Sequence, residues 1–442
     1  MNNEQAIQRF REHFDRFERT LNGESATPLH GLRREAIGTV ERLGFPTLKQ
    51  EDWRFTNIGP LFATDFVPAA LVHAALPQRS ALQHFFEGLH DAITMVFLDG
   101  IYAPALSTME SLPDGLTVRS LAEMTRPDPA LPGGMHADIS EGTQAFPALN
   151  AAFLVDGAYI HLRRSVASER IVHILFLSSA TEAPLLVQPR VHIAVEEGAS
   201  LRVVEQYGSL AGAAHFTNAA VSVEIGPNAG LEHVVVQREN TQAFHIGMTH
   251  ARVSRDARYS NRYFGFGAAI TRNNITAVFE GQHGETVLEG LYLPTETQHM
   301  DHFTVIDHAQ PHCESHELYK GILDDTTRAV FSGRIIVRQD AQKTNAKQSN
   351  NNLLLSDDAK VNTKPQLEIY ADDVKCTHGA TVGRLSDDAL FYLRSRGIDA
   401  GQARSILAHA FAAELVDRVS IESLHDSLNA LINARLDRST IS

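Results

Sequence analysis

Near the end of the chain, Asp372-Asp373-Val374-Lys375-Cys376-Thr377-His378-Gly379-Ala380-Thr381 sets a thiol and an imidazole two residues apart. On a β-strand, residues i and i+2 share a face, so Cys376 and His378 point the same way if this segment is a strand. A thiolate beside an imidazole is a borderline-soft donor pair suited to iron, zinc or copper(I). The bland alternative, an inert buried cysteine next to a hydrogen-bonded histidine, is the commoner arrangement. Two ligands do not close a tetrahedral site. A metal role for the pair therefore demands ligands from elsewhere, most simply from a partner subunit.

The densest histidine cluster is His299-Met300-Asp301-His302, followed by His308, His312-Cys313 and His316. Its spacing is too irregular to be a strong metal signature. If Asp301 to His308 is a strand, His302, Thr304, Ile306 and His308 share one face, and structural packing is the favoured reading. The acidic pairs Asp324-Asp325, Asp357-Asp358 and Asp372-Asp373 invite a glycosidase reading, since paired carboxylates cleave glycosides. Each pair lies beside an expected corner, where aspartate is simply a good turn residue. The chain carries no G-x-x-x-x-G-K-[ST] loop and no G-x-S-x-G elbow. Gly265-Phe266-Gly267 begins a dinucleotide-like pattern that breaks off at Ile270.

Composition narrows the field further. The chain has 442 residues, long enough for two or three domains or one elongated repeat domain. Lys+Arg total 39 against 53 Asp+Glu, a net charge of −14. A surface that acidic repels phosphate, so neither nucleic acid nor an anionic membrane is an expected partner. Two cysteines exclude a disulfide framework and a self-contained iron–sulfur site, whereas 22 histidines leave imidazole chemistry open. The start lacks an apolar core and carries Glu4, Glu12, Asp15 and Glu18, unlike a secretory or transit peptide. A cytoplasmic protein with reduced thiols is expected.

The elements that must position these residues fall into three regions. Residues 1–145 read as a helical and mixed region: Ile7, Phe10, Phe14 and Phe17 form one helix face, a proline-bearing break follows at Ala26-Thr27-Pro28, and Asp99-Gly100 signals a hairpin. Arg126-Pro127-Asp128-Pro129 to Gly134 reads as a linker. Residues 146–383 read as β. Val191, Ile193 and Val195 alternate with polar residues, as do Val221, Val223 and Ile225. Polar corners begin at 198, 228, 256, 284, 326 and 358, at offsets of 30, 28, 28, 42 and 32 residues. Short strands at a near-fixed period with no helices between them indicate a β-solenoid, with a β-sandwich as the competitor. Residues 384–442 turn helical, with caps at Ser386 and Asp399, a Gly397 terminator, and apolar stripes Leu407-Phe411-Leu415 and Leu424-Leu428-Ile432-Leu436. Such stripes usually pack onto their own domain; the alternative is a docking surface.

Several segments together resemble one family. Pro365-Gln366-Leu367-Glu368-Ile369 followed by the 372–383 block is similar to the SufB/SufD family of iron–sulfur cluster assembly proteins, and Gln348 to Leu355, Ser332-Gly333-Arg334-Ile335, Glu51 to Asn57 and Ala148-Leu149-Asn150-Ala151 fit as well. Chain size and an N-terminal third without cysteine resemble the SufD branch more than the SufB branch. The resemblance implies a mainly β fold: a right-handed parallel β-helix core between an N-terminal mixed region and a C-terminal helical subdomain. It implies a non-ATPase scaffold subunit pairing side by side with SufB, with the ATPase SufC on the C-terminal helices; whether the chain alone forms a homodimer stays open, an exposed solenoid edge favouring it. It assigns the functional histidine to His378, working with a SufB cysteine, and Cys376 as a less certain contributor. Iron or a nascent cluster is then transient cargo, and the isolated chain holds no cofactor. On this reading SufC dimerises on ATP, drags on the helical tails and shifts the interface, exposing His378 and Cys376 beside SufB thiolates. The rivals are a stand-alone histidine-rich metal-dependent enzyme and a carbohydrate-active β-helix enzyme.

Overall fold

The computed structural model describes residues 3–21, 27–72, 75–125, 144–180 and 183–437. The expected linker at 126–134 lies outside them, as does Ala26. The chain is mainly β, built on a solenoid of about seven turns. Successive strands alternate between two facing sheets, so each strand pairs in parallel with the strand two places along the chain. The repeat read from the sequence is a real register: Val191 lies against Val221, Ile193 against Val223 and Val195 against Ile225. These side chains are buried in the solenoid core, and alternate residues face outward, as period-two patterning requires.

Corners set the repeat. Gly198, Asn228, Asp256, His283, His312 and Lys343 all have positive φ and stack about 30 residues apart along one edge. Most of these amides donate to a carbonyl of the next coil, as from Asn228 to Arg255 at 2.8 Å and from Lys343 to Asp373 at 2.7 Å. This corrects the sequence series in one respect. The corners at 326 and 358 open strands Arg328–Val337 and Lys360–Ile369, which belong to the other sheet. The 42-residue offset is thus a jump between sheets, and the missing corners are His312-Cys313 and Lys343-Thr344.

The flanking regions clasp the two outer faces. The helix Asn3–Thr20 buries Phe10, Phe14 and Phe17, the face expected from their spacing, against Phe45, Phe146, Phe216 and Ile246 on the outside of the first sheet. Upstream strands extend the solenoid: Ile93–Leu98 pairs in parallel with Val172–Ser178, and Leu116–Ser120 runs antiparallel to Ala158–Leu162. The hairpin at Asp99-Gly100 forms as expected, with both residues at positive φ. On the second sheet, helices Ala400–Val416 and His425–Leu436 pack against Val204, Val236, Phe264 and Leu291. Ser386 and Asp399 cap their helices, and Gly397 has φ +87°. The stripe Leu424, Leu428, Ile432 and Leu436 is wholly buried against this face. In the preceding helix the buried face is Ala403, Ala408, Ala412, Leu415 and Val416, while Leu407 and Phe411 are only half-buried, because small alanines let the helix approach the sheet closely.

Candidate functional site at the open end of the solenoid

The last coil consists of strands Lys360–Ile369 and Lys375–Gly383, one at the end of each sheet. Among the described residues neither has a neighbour on its far side. Cys376 stands in register with Ala346, and His378 with Gln348. Ala346 and Gln348 are buried, which identifies this as the inward face, and Cys376 packs against the solenoid core. Across the coil, Val361, Pro365 and Leu367 sit in register with Ala329, Gly333 and Ile335. In every earlier coil such residues are covered by the next turn. Here no turn follows, so Cys376 is half-buried and His378 is exposed.

Both sequence-predicted ligands therefore share one face, as strand geometry demanded, and that face is the mouth of the solenoid. Burial pushes the Cys376 thiol above its ordinary range, partly offset by a hydrogen bond from the Ala346 amide. The protonated thiol is its resting form at neutral pH, and a cation or a neighbouring positive charge is needed to draw out the thiolate. Among the described residues no three His, Cys, Asp or Glu side chains come together as a metal-holding group.

The motif at 51–57 braces the outside of this end. The Lys364 ammonium pairs with Glu51, and Arg334 donates to Asp52 at 3.0 Å while lying 3.4 Å from Glu368. Trp53 lies over the Arg272 guanidinium, 3.9 Å from ring centroid to carbon. Arg272 forms a buried ion pair with Asp301, and the Thr56 hydroxyl bonds to His299 and Asp301. Two segments far apart in sequence, Glu51 to Asn57 and Ser332 to Ile335, thus meet on the outer surface and tie the terminal strand to the N-terminal region.

The His299–His316 cluster disperses. His302 and His308 point inward with Thr304 and Ile306, all buried. His302 is enclosed by Tyr263, Tyr292 and Tyr319, with centroids 4.7 to 5.2 Å away, and burial pushes its imidazole down to about 3. His308 bonds to Ser315 at 2.9 Å. His312 sits on the corner, stacked 5.0 Å from His283, beside buried Cys313. The packing reading describes these positions. The acidic pairs lie at corners: Asp325 has φ +51° and accepts from the Glu296 amide, and Asp373 pairs with Lys343.

Sequence reasoning missed a row of buried carboxyls inside the solenoid. Glu205 bonds to His233 at 2.8 Å and to Tyr207; Glu239 bonds to His245 at 2.7 Å and His215 at 3.2 Å. Desolvation opposes ionising Glu239, but the rings of His245 and His215 outweigh it and hold the carboxyl well below its usual range. Glu317 differs. It accepts from the Gln348 amide at 2.6 Å, and burial drives its pKa up to about 7 because only neutral groups, Gln348 and Thr304, approach it. Glu317, Gln348 and His378 are consecutive rungs of one inward column. Their spacing, close to the corner repeat, was the available signal.

Fold and site together define a class: a two-sheeted parallel β-solenoid, clasped by helices on both outer faces, whose final coil presents a thiol and an imidazole at an uncapped end. Comparison with known proteins agrees. A family described as "SUF system FeS cluster assembly, SufBD core domain" matches residues 176–411, and "SufBD protein N-terminal region" matches residues 4–174. The chain belongs to the SufBD family of iron–sulfur cluster assembly proteins. It is 35% identical over 412 residues to the iron–sulfur cluster assembly protein SufD of Escherichia coli K12, covering 89% of this chain and 90% of that protein. An iron–sulfur cluster assembly SufBD family protein of Synechocystis is 32% identical over 423 residues, covering 94% of this chain and 93% of the relative. The SufD of Bacillus subtilis is 25% identical over 419 residues, covering 92% and 94%. Within the family the chain is of SufD type.

Proposed function

We propose that this chain is the non-ATPase SufD-type subunit of a SufBCD complex, and that Cys376 and His378 supply half of a site completed by SufB. The observation that carries the reading is the mouth of the solenoid: two donors of suitable softness on one inward face, flanked by two strand edges with free hydrogen-bonding capacity. Iron and sulfide are cargo here. The exposed imidazole of His378 can offer a ring nitrogen to iron, and the Cys376 thiol can add a thiolate once a cation lowers its proton affinity. Neither suffices alone, which suits assembly followed by release.

The same edges support pairing with SufB, or with a second copy when the chain is alone. Pro365 blunts the edge of Lys360–Ile369 because proline lacks an N–H, whereas Lys375–Gly383 carries no proline and is the better edge for pairing. On the C-terminal helices, the buried stripe at Leu424–Leu436 is spent on internal packing. A docking surface for SufC is better supported by Phe391, Tyr392 and Ile406, which are 74%, 58% and 45% exposed. Nucleotide-driven movement of these helices would reach the mouth through the short connection from Gly383 to Asp387. The setting is the cytoplasm, where both free thiols stay reduced.

The test is reconstitution of the complex with His378→Ala. Cluster assembly is expected to fall to background, while SufB and SufC still co-purify, because the exposed ring supports no buried packing. An undiminished rate of cluster formation overturns the assignment. Metal analysis of the purified chain separates this reading from a stand-alone metalloenzyme, which requires stoichiometric metal.

A further inference from the structure

The solenoid interior holds a second polar cluster, away from the mouth. His302 projects inward from the first sheet, two rungs below its last strand. Tyr263, Tyr292 and Tyr319, from three neighbouring strands of the second sheet, enclose it with ring centroids 4.7 to 5.2 Å away. Among the described residues neither ring nitrogen of His302 has a hydrogen-bond partner. The same holds for the hydroxyls of Tyr263, Tyr319 and Thr304 and for one carboxyl oxygen, Oε1, of Glu317. All five residues are buried. Tyrosines elsewhere in the interior are answered by the protein: Tyr292 donates to Asn352 at 2.6 Å, and Tyr259 accepts from Asn261 at 3.2 Å.

These groups are gathered in one place. Thr304 follows His302 by two residues on the same inward face and approaches Glu317. Burial raises the Tyr319 hydroxyl well above its ordinary range, and Glu317, Tyr259, Tyr263 and Tyr292 lie near enough to push it further. Glycine makes the room. Tyr319 stands in register with Gly290 and Tyr292 with Gly321, and a Cβ at either glycine would lie 2.3 Å from the ring opposite. The rings therefore lie over bare backbone along the sheet, which spares the middle of the solenoid.

We propose that His302, Tyr263, Tyr319, Thr304 and Glu317 form a binding site for buried water inside the solenoid. A buried donor or acceptor left unpaired lowers the folding equilibrium constant roughly tenfold, so a group of them is incompatible with a marginally stable fold. Buried polar groups without a protein partner are bonded to ordered water. The chemistry of the cluster suits a neutral guest. Burial drives the His302 imidazole down to about 3 and the Tyr263 hydroxyl well above its ordinary range, so neither is charged near neutrality. Among the described residues no three His, Cys, Asp or Glu side chains gather to hold a metal. Water both donates and accepts, so one molecule can accept from a tyrosine hydroxyl and donate to an imidazole nitrogen. A buried water makes about three hydrogen bonds, so the two ring nitrogens, three hydroxyls and one carboxyl oxygen call for about two molecules.

A crystal structure of the full-length chain, at a resolution that shows ordered water, tests this directly. Density within hydrogen-bond distance of at least two of the named atoms is expected. An empty cluster, or density whose contacts have metal–ligand lengths, overturns the proposal. Tyr319→Phe gives an independent reading by urea titration. If the hydroxyl is bonded to water, its removal lowers the folding equilibrium constant about fivefold, the worth of one hydrogen bond. If it is unpaired, removal leaves that constant unchanged or raises it, which overturns the proposal as well. Tyr263→Phe, on the other side of His302, is expected to behave in the same way. Should either variant fail to fold, the density in the wild-type protein decides.

Discussion

Replacing Glu317 with glutamine should make the protein more stable at alkaline pH and leave it unchanged in mild acid. Burial raises this carboxyl from an ordinary 4.5 to about 7, against a weaker opposing hydrogen bond from the Gln348 amide. Each tenfold change in proton affinity is worth about 1.4 kcal/mol, so ionising Glu317 inside the solenoid costs roughly 3 kcal/mol more than in the unfolded chain. The sign follows from proton counting. Between pH 4.5 and about 7 the folded chain holds a proton on Glu317 that the unfolded chain has lost, so stability falls as pH rises through that window and levels off above it. Glutamine has no proton to lose and keeps an acceptor for the Gln348 amide. Other titrating groups are common to both proteins and cancel in the difference. Urea denaturation of the full chain at pH 4.5, 6, 7 and 8, followed by strand circular dichroism, measures it. The variant's advantage should grow from near zero to roughly 3 kcal/mol across this range. An advantage that does not vary with pH, or a variant that is weaker at pH 8, refutes the reasoning.

Two further substitutions probe the frame around the mouth. Gly333→Ala puts a Cβ 2.3 Å from the Gln348 amide and 2.8 Å from Phe331, and is expected to cost about 1–3 kcal/mol by overpacking, read from the urea midpoint. Gly379→Ala, on the exposed last strand with nothing within 4 Å, is its neutral control. Arg272→Ala strands the Asp301 carboxylate, since both side chains of that pair are only 1% exposed, and should lose about 3–5 kcal/mol in the same assay. It also removes the stack on Trp53, so tryptophan emission should shift red as the 51–57 segment loosens.

Much of the architecture is legible in the sequence because it rests on short-range rules. Alternation at 191–195 and 221–225 foretells both the strands and their mutual register. Ser386, Gly397 and Asp399 punctuate the C-terminal helices as capping chemistry requires. The corners were harder. Left-handed backbone is usually sought at glycine, asparagine or aspartate, and three of the solenoid corners place His283, His312 and Lys343 there instead. Tertiary stacking of successive corner amides overrides the local preference, so a series built on glycine, asparagine and aspartate corners passes from one sheet to the other at that point. Ranking residues by hydrophobicity also misjudged the helix Ala400–Val416, where close approach to the sheet favours an alanine face over Leu407 and Phe411. At the site, period two suffices to set Cys376 beside His378. That the pair ends the solenoid follows only from the absence of a further coil. The link from His378 to Glu317 requires register across two turns, which no local pattern carries.

The contrast among buried carboxyls gives the mouth its meaning. Glu205 is matched by His233 and Glu239 by His215 and His245, so deep in the solenoid each buried acid is answered by an imidazole. Among the described residues no imidazole answers Glu317, which is held by the neutral amide of Gln348, whose own oxygen is left unpaired. One rung further on, two strand edges are left open and an imidazole is left in solvent. A sequence selected for stability alone would place leucine or valine at 317, as Leu288 already does one rung below. Glu317, Gln348 and His378 thus depart from apolar packing on three consecutive coils, in one column that ends at the open edge. If His378 is the ligand proposed above, stability is given up beside the proposed site, and the compensated carboxyls deeper inside show that the fold can avoid this cost elsewhere.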